Sequence, residues 1–119
     1  MSGKHVVLMI RDKGWRKAVL SELSEIRIGG AGDSDVVISN DCVCDRHCVI
    51  NCRGGTYSIR DLGSKQSTFL DDSRLEPNRE YPLYHAANIS LGAEDGIQIV
   101  FLITEQFGGT LGTKSRVTT

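Results

Sequence analysis

Apolar and polar residues alternate along this chain in short runs, broken by turn residues every eight to twelve positions. Side chains of a strand point to opposite faces with a period of two, so this spacing belongs to a sandwich or barrel of β-strands rather than to alternating helices and strands. The pattern predicts an all-β fold of about eleven short strands: His5–Ile10, Trp15–Leu20, Glu25–Ile28, Asp35–Ile38, His47–Cys52, Thr56–Asp61, Thr68–Leu70, Arg74–Leu75, Glu80–Leu83, Asn88–Leu91 and Gly96–Ile103. Asp12-Lys13-Gly14 reads as one hairpin turn. Arg53-Gly54-Gly55 reads as another, its glycines supplying the positive φ of a tight turn. Ala18–Ile26 is the one stretch with a helical reading, and its hairpin neighbours argue against it. Pro77 and Pro82 fall where a strand end or edge strand tolerates the missing N–H. Val49, Ile99 and either Val100 or Phe101 are expected in the core.

From Thr104 onward the alternation dissolves into Gly, Thr, Ser and isolated charges with no apolar face to bury. A domain over residues 1–104 and a flexible tail or linker over 105–119 are therefore expected. A net charge of -1 gives no global field for nucleic acid or a membrane surface. The longest apolar runs, Val6–Ile10 and Ile99–Ile103, are five residues each, against the roughly 20 of a membrane-spanning helix. The N-terminus carries no apolar segment of the signal-peptide kind. A cytoplasmic location is expected, with the chain able to serve as the soluble part of a larger protein.

Cys42, Cys44, Cys48 and Cys52 fall in one short stretch. Structural zinc ligands come as two separated pairs, a spacing these residues lack, and Cys48 and Cys52 share strand parity with Ile50. They read as packed thiols; no metal and no cofactor are expected.

Four blocks lie in order between Ile28 and Gly92. Ile28-Gly29-Gly30 with Ser34-Asp35-Val36-Val37-Ile38 comes first, then Val43-Cys44-Asp45-Arg46-His47-Cys48-Val49-Ile50. Asp61-Leu62-Gly63-Ser64-Lys65-Gln66-Ser67-Thr68-Phe69-Leu70 follows, and Leu83 with Ile89-Ser90-Leu91-Gly92 closes the series. Together they resemble the forkhead-associated (FHA) domain family, an eleven-stranded sandwich whose loops at one end bind phosphothreonine peptides. The resemblance implies a non-enzymatic protein-interaction module. It places Gly30, Cys44, Asp45, Arg46, Ser64, Lys65 and Gln66 in the phosphopeptide- or partner-binding loops, with Gly29 and His47 as structural positions.

The departures bear on function. The family's phosphate-gripping arginine falls on Gly30, its serine on Cys44, its following basic residue on Asp45 and its asparagine on Gln66. Its two glycines fall on Ser67 and Ala86. Phosphothreonine carries about -1.5 to -2 charges and is best held by charge-assisted hydrogen bonds. Gly30 offers no side chain, a thiol is a weak donor, and Gln66 moves its amide one methylene outward. Each loss costs about 1 kcal/mol or more. Asp33, Asp41 and Asp45 also outnumber Arg46 and Lys65 in these loops.

A Cys–His nucleophile at Cys44 or Cys48 with His47 has no third orienting group in view, and Cys48 faces away from its strand neighbour. The expectation is a protein partner bound with weakened or phosphate-independent recognition, as in degenerate members that form cytosolic domains of bacterial secretion assemblies. The alternative is a phosphothreonine-peptide reader in signalling, gripping through Arg46, Lys65, Ser64 and Gln66. No nucleic acid and no direct membrane contact are expected.

Overall fold

The computed structural model describes residues 3–21, 23–93 and 96–106, and every regular element within them is a strand. β1 (Gly3–Arg11) and β2 (Trp15–Ser21) form the first hairpin, followed by β3 (Glu25–Gly29) and β4 (Val36–Val37). β5 (Cys48–Arg53) and β6 (Thr56–Asp61) form the second hairpin. β7 (Thr68–Leu70), β8 (Ser73–Arg74), β9 (Glu80–Leu83), β10 (Ala87–Leu91) and β11 (Ile97–Gln106) complete the series. One sheet has the order β2-β1-β11-β10-β7-β8, the other β4-β3-β5-β6-β9. The ladder between β3 and β4 is parallel and the other named ladders are antiparallel.

Alternation builds the core directly. Val6, Leu8 and Ile10 of β1 and Ile97, Ile99 and Phe101 of β11 point inward from the first sheet. Ile26, Ile28, Cys48, Ile50 and Ile59 meet them from the second. Tyr57 and Phe101, one ring from each sheet, pack edge to face with centroids 5.4 Å apart, a contact worth about 0.5–1.5 kcal/mol beyond its buried area. The turn between β5 and β6 places Gly54 at φ 55° and Gly55 at φ 83°, the two positive values of a two-residue hairpin loop.

Several expectations need adjustment. The strand expected over Asp35–Ile38 is regular only at Val36–Val37, because the Asp35 carboxylate instead accepts the Arg27 backbone N–H at 2.8 Å. Val49 is buried but lies outside the main cluster, on the outward face of β5, where it stands in register between Arg27 and Arg60. Both of these neighbours carry the long aliphatic stem that lets a charged residue lie along an apolar surface. Of the pair Val100 and Phe101, Phe101 is the inward one. The stretch Ala18–Ile26 contains the end of β2 and the start of β3. β11 spans Ile97–Gln106 and so runs past the strand end expected at Ile103, because it stays paired with β1 as far as Gly3. The remainder of the expected tail, 107–119, lies outside the described residues.

Among the described residues no helix is long and apolar enough to cross a membrane. The fold matters for function because the loops after β3, β4, β6 and β10 all meet at one end, as backbone bonds from Gly30 to Cys44, Leu62 to His47 and Gly92 to Ser67 show.

Candidate functional site

The base of this loop end is built first by close backbone approach. A Cβ on Gly29 would stand 2.0 Å from the Asp45 carbonyl oxygen, so only glycine fits where the loop before β5 crosses the end of β3. The Gly30 N–H then donates to the Cys44 carbonyl at 2.9 Å, and the His47 N–H to the Ile28 carbonyl at 3.0 Å.

His47 is fully buried, and both of its ring nitrogens are engaged. Nδ1 accepts the Cys44 backbone N–H at 3.1 Å, and Nε2 lies 2.7 Å from the Ser67 carbonyl. A carbonyl can only accept, so the ring is the neutral tautomer with its proton on Nε2. Burial lowers its pKa from the ordinary value, with the Ser67 carbonyl and the charge of Asp61 acting in the opposite direction. Neither nitrogen is left to activate a thiol, so the arrangement has no Cys–His nucleophile.

Asp61 organises the turn after β6. Its carboxylate accepts the backbone N–H of Gly63 at 2.9 Å and of Ser64 at 3.0 Å, the Ser64 hydroxyl at 2.5 Å and the Thr68 hydroxyl at 2.6 Å. Ser64 Oγ in turn accepts the Ser67 N–H at 2.9 Å. Ser64 is thereby turned into the loop as a brace, although the resemblance counts it among partner-contacting residues. Ser67 sits at φ 76°, and its carbonyl accepts the Gly92 N–H at 3.0 Å as well as the His47 ring proton. Gly92, at φ 92°, packs against Cys42, where a Cβ would come within 2.7 Å of the Cys42 Cβ.

The rim above this base is exposed. Asp45, Arg46, Lys65 and Gln66 are all solvent-facing, while Gly30 and Cys44 are half-buried. The Cys44 sulfur accepts the Lys65 backbone N–H at 3.3 Å, which ties the second and third loops together. Arg46 and Asp33 form an ion pair at 3.7 Å with both side chains 65% exposed, a geometry of little energetic weight. Asp45 Oδ1 lies 3.6 Å from where a Cβ on Gly30 would be. A negative charge therefore stands over the position from which the resemblance would have an arginine reach out.

All nine positions named from the resemblance thus meet at one end of the sandwich. Asp61 and Gly92 belong to the same unit but were not singled out as site residues. An Asp followed by Gly and Ser at the second and third positions onward is the signal of a side-chain-capped turn, and it points to Asp61. Nothing in the local pattern marks the packing of Gly92 on Cys42, which joins residues 50 apart.

The profile of the FHA domain matches residues 26–92. The chain belongs to the FHA family. It is 33% identical over 67 residues to the FHA domain-containing protein FhaB of Mycobacterium tuberculosis, covering 56% of this chain and 43% of that protein. It is also 33% identical over 72 residues to a probable E3 ubiquitin-protein ligase, dma1, of Schizosaccharomyces pombe, covering 57% of this chain and 27% of that one. The matched stretch thus spans less than half the length of these relatives. Among solved structures, the FHA domain of FhaA complexed with the intracellular domain of Rv3910 superposes with a TM-score of 0.69 at 25% identity, covering 81% of this chain and 98% of that one. The MEK1 FHA domain gives 0.71 at 20% identity, covering 83% and 89%, a likeness of fold. FHA domains are non-enzymatic modules of protein–protein interaction, often with phosphothreonine peptides.

Proposed function

We infer that this FHA domain docks a protein partner through its loop end in the cytosol, with phosphothreonine recognition weakened or lost. The observation that carries the reading is the Asp45 carboxylate oxygen 3.6 Å from where a Cβ on Gly30 would stand. A dianionic phosphate brought to that place meets a like charge, and two unit charges about 4 Å apart repel by about 1 kcal/mol in bulk water and more near a protein surface. Gly30 supplies no opposing cation, and the Cys44 sulfur already accepts the Lys65 N–H. The four unbridged cysteines accord with a reducing compartment, and a domain of a larger assembly or secretion protein is a setting that suits such a module.

One observation favours the alternative. The Lys65 ammonium is exposed beside Gln66, and no ion pair engages it among the described residues. A phosphothreonine reader with an altered grip would use it together with Arg46, released from Asp33.

Calorimetry with matched phosphorylated and unphosphorylated peptides separates the two. The native domain is expected to bind both weakly or neither. A Cβ at Gly30 meets nothing nearer than 3.5 Å, so Gly30→Arg combined with Cys44→Ser and Gln66→Asn should restore phosphate-dependent binding at an unchanged melting temperature, and adding Asp45→Arg should strengthen it. Native binding at low-micromolar affinity that vanishes on dephosphorylation would overturn the reading and assign Arg46 and Lys65 as ligands.

A further inference from the structure

A two-sheet sandwich leaves four edge strands, and here they are unequal. β4 and β8 are two residues long, and β9 carries Pro82, which has no N–H to offer. β2 spans seven residues without proline and pairs only with β1. Among the described residues it is the one long edge whose outer row of backbone donors and acceptors pairs with no strand, the feature proteins ordinarily blunt.

Its side chains add to this. Val19 is 57% and Trp15 58% exposed, both on the outward face of the first sheet. Val19, Val7 and Leu102 form a continuous aliphatic row across β2, β1 and β11, with Met9 and Val100 in the next row. The outward face of the other sheet instead carries Arg27, Asn51, Ser58, Arg60 and Glu80. Arg16, at the inward side of β2, reaches across to the Val37 carbonyl at 2.7 Å and so leaves the strand's outer edge clear.

We propose that β2 pairs antiparallel with β2 of a second copy of this chain, about a two-fold axis through Val19. This register sets Val19 against its own equivalent, Ala18 against Leu20 and Lys17 against Ser21, so no like charges stand opposite one another. The aliphatic row then runs unbroken over six strands. The choice of a second copy rests on charge order along the sequence. Arg11, Lys13, Arg16 and Lys17 outnumber Asp12 in the stretch 11–17, whereas 21–25 carries Glu22 and Glu25 and no cation. An antiparallel pair places each cationic half against an acidic half, an arrangement that is self-complementary as a two-fold interface must be. The surface is distinct from the loop end and does not depend on how that end reads phosphate.

Sedimentation velocity from about 5 to about 500 μM tests it, since dimer population follows mass action. The native domain is expected to shift toward dimer with concentration, less so in high salt. Val19→Lys, which sets two ammonium groups on the axis, is expected to remain monomeric, with circular dichroism and a melting temperature at about 5 μM that match those of the native domain at the same dilution. Oxidised Val19→Cys should form a covalent dimer beyond the wild-type background. Leu102→Cys, about 24 Å from its equivalent at a strand spacing of about 4.8 Å, should not. A monomer across the whole range, a dimer that persists in Val19→Lys, or cross-linking by Leu102→Cys instead of Val19→Cys would each overturn the proposal.

Discussion

The base and the rim of the loop end are made from the same loops, yet they behave as different materials. In the base, the buried Asp61, Thr68 and His47 and the half-buried Ser64 and Ser67 hold one another through hydrogen bonds. In the rim, a few residues along the same segments, Asp45, Lys65 and Gln66 are exposed, and Arg46 has only a solvated ion pair. Apart from Ser67, the base residues keep the family's residue types, Ser64 among them although the resemblance counts it as partner-contacting, whereas most of the departures fall on the rim. A buried polar network tolerates little change, because each lost partner leaves a desolvated group unpaired. An exposed side chain can be replaced at almost no cost to folding. Substitution at the rim therefore leaves the scaffold intact, while substitution in the base does not.

The sharpest way to break this comparison is to attack the base. Asp61→Ala would strand two backbone N–H groups and two hydroxyls, and is expected to cost roughly 3 kcal/mol or more, read by urea denaturation. A loss no larger than that of a rim substitution would mean that base and rim are energetically alike.

A gentler probe is pH. His47 has a folded-state pKa below its ordinary value of 6.5, so the unfolded chain takes up a proton that the native base excludes. The stability tied to this ring is complete above about 6.5 and is lost as pH falls through the lowered native value. Melting temperatures between about pH 7.5 and 5 should decline in the native domain, and His47→Gln, less stable at the start, should show a flatter slope. Equal slopes would remove His47 from the network.

The smallest effect runs in the opposite direction. Ser67 and Ala86 hold φ of 76° and 70°, a left-handed conformation, at the two places where the resemblance has glycine. The backbone there holds a left-handed conformation without the residue best suited to it. Ser67→Gly and Ala86→Gly are each expected to gain about 0.5–1 kcal/mol, the left-handed penalty less the entropy that glycine loses on folding. A loss in either would show that its side chain contributes more than its backbone strain removes.

Most of the fold was legible because strand and turn are local signals. β1, β6, β9 and β11 follow from alternation alone, and the Gly54-Gly55 turn from composition. Two things escaped. The inward or outward sense of Val49 depends on Arg27 and Arg60, which come beside it only once three strands are in register. The place of Asp35 was lost because its carboxylate takes a backbone donor from the neighbouring strand. In the site, residue types at motif positions showed where this chain departs from the family's pattern. They could not show that Ser64 turns inward to Asp61, or that the Asp45 carboxylate leans over Gly30, since both depend on loop geometry that several segments settle together.

The Ser67 carbonyl, shared between the His47 ring and the Gly92 amide, clasps three loops at one atom. Loops fastened this way have little conformational freedom left to surrender when something lands on them. The ordering cost of an encounter then falls mainly on the incoming chain, and a flexible segment that gains little enthalpy on contact will not stay. This loop end should accordingly select for partners that arrive already extended or already folded, whatever chemistry their side chains present.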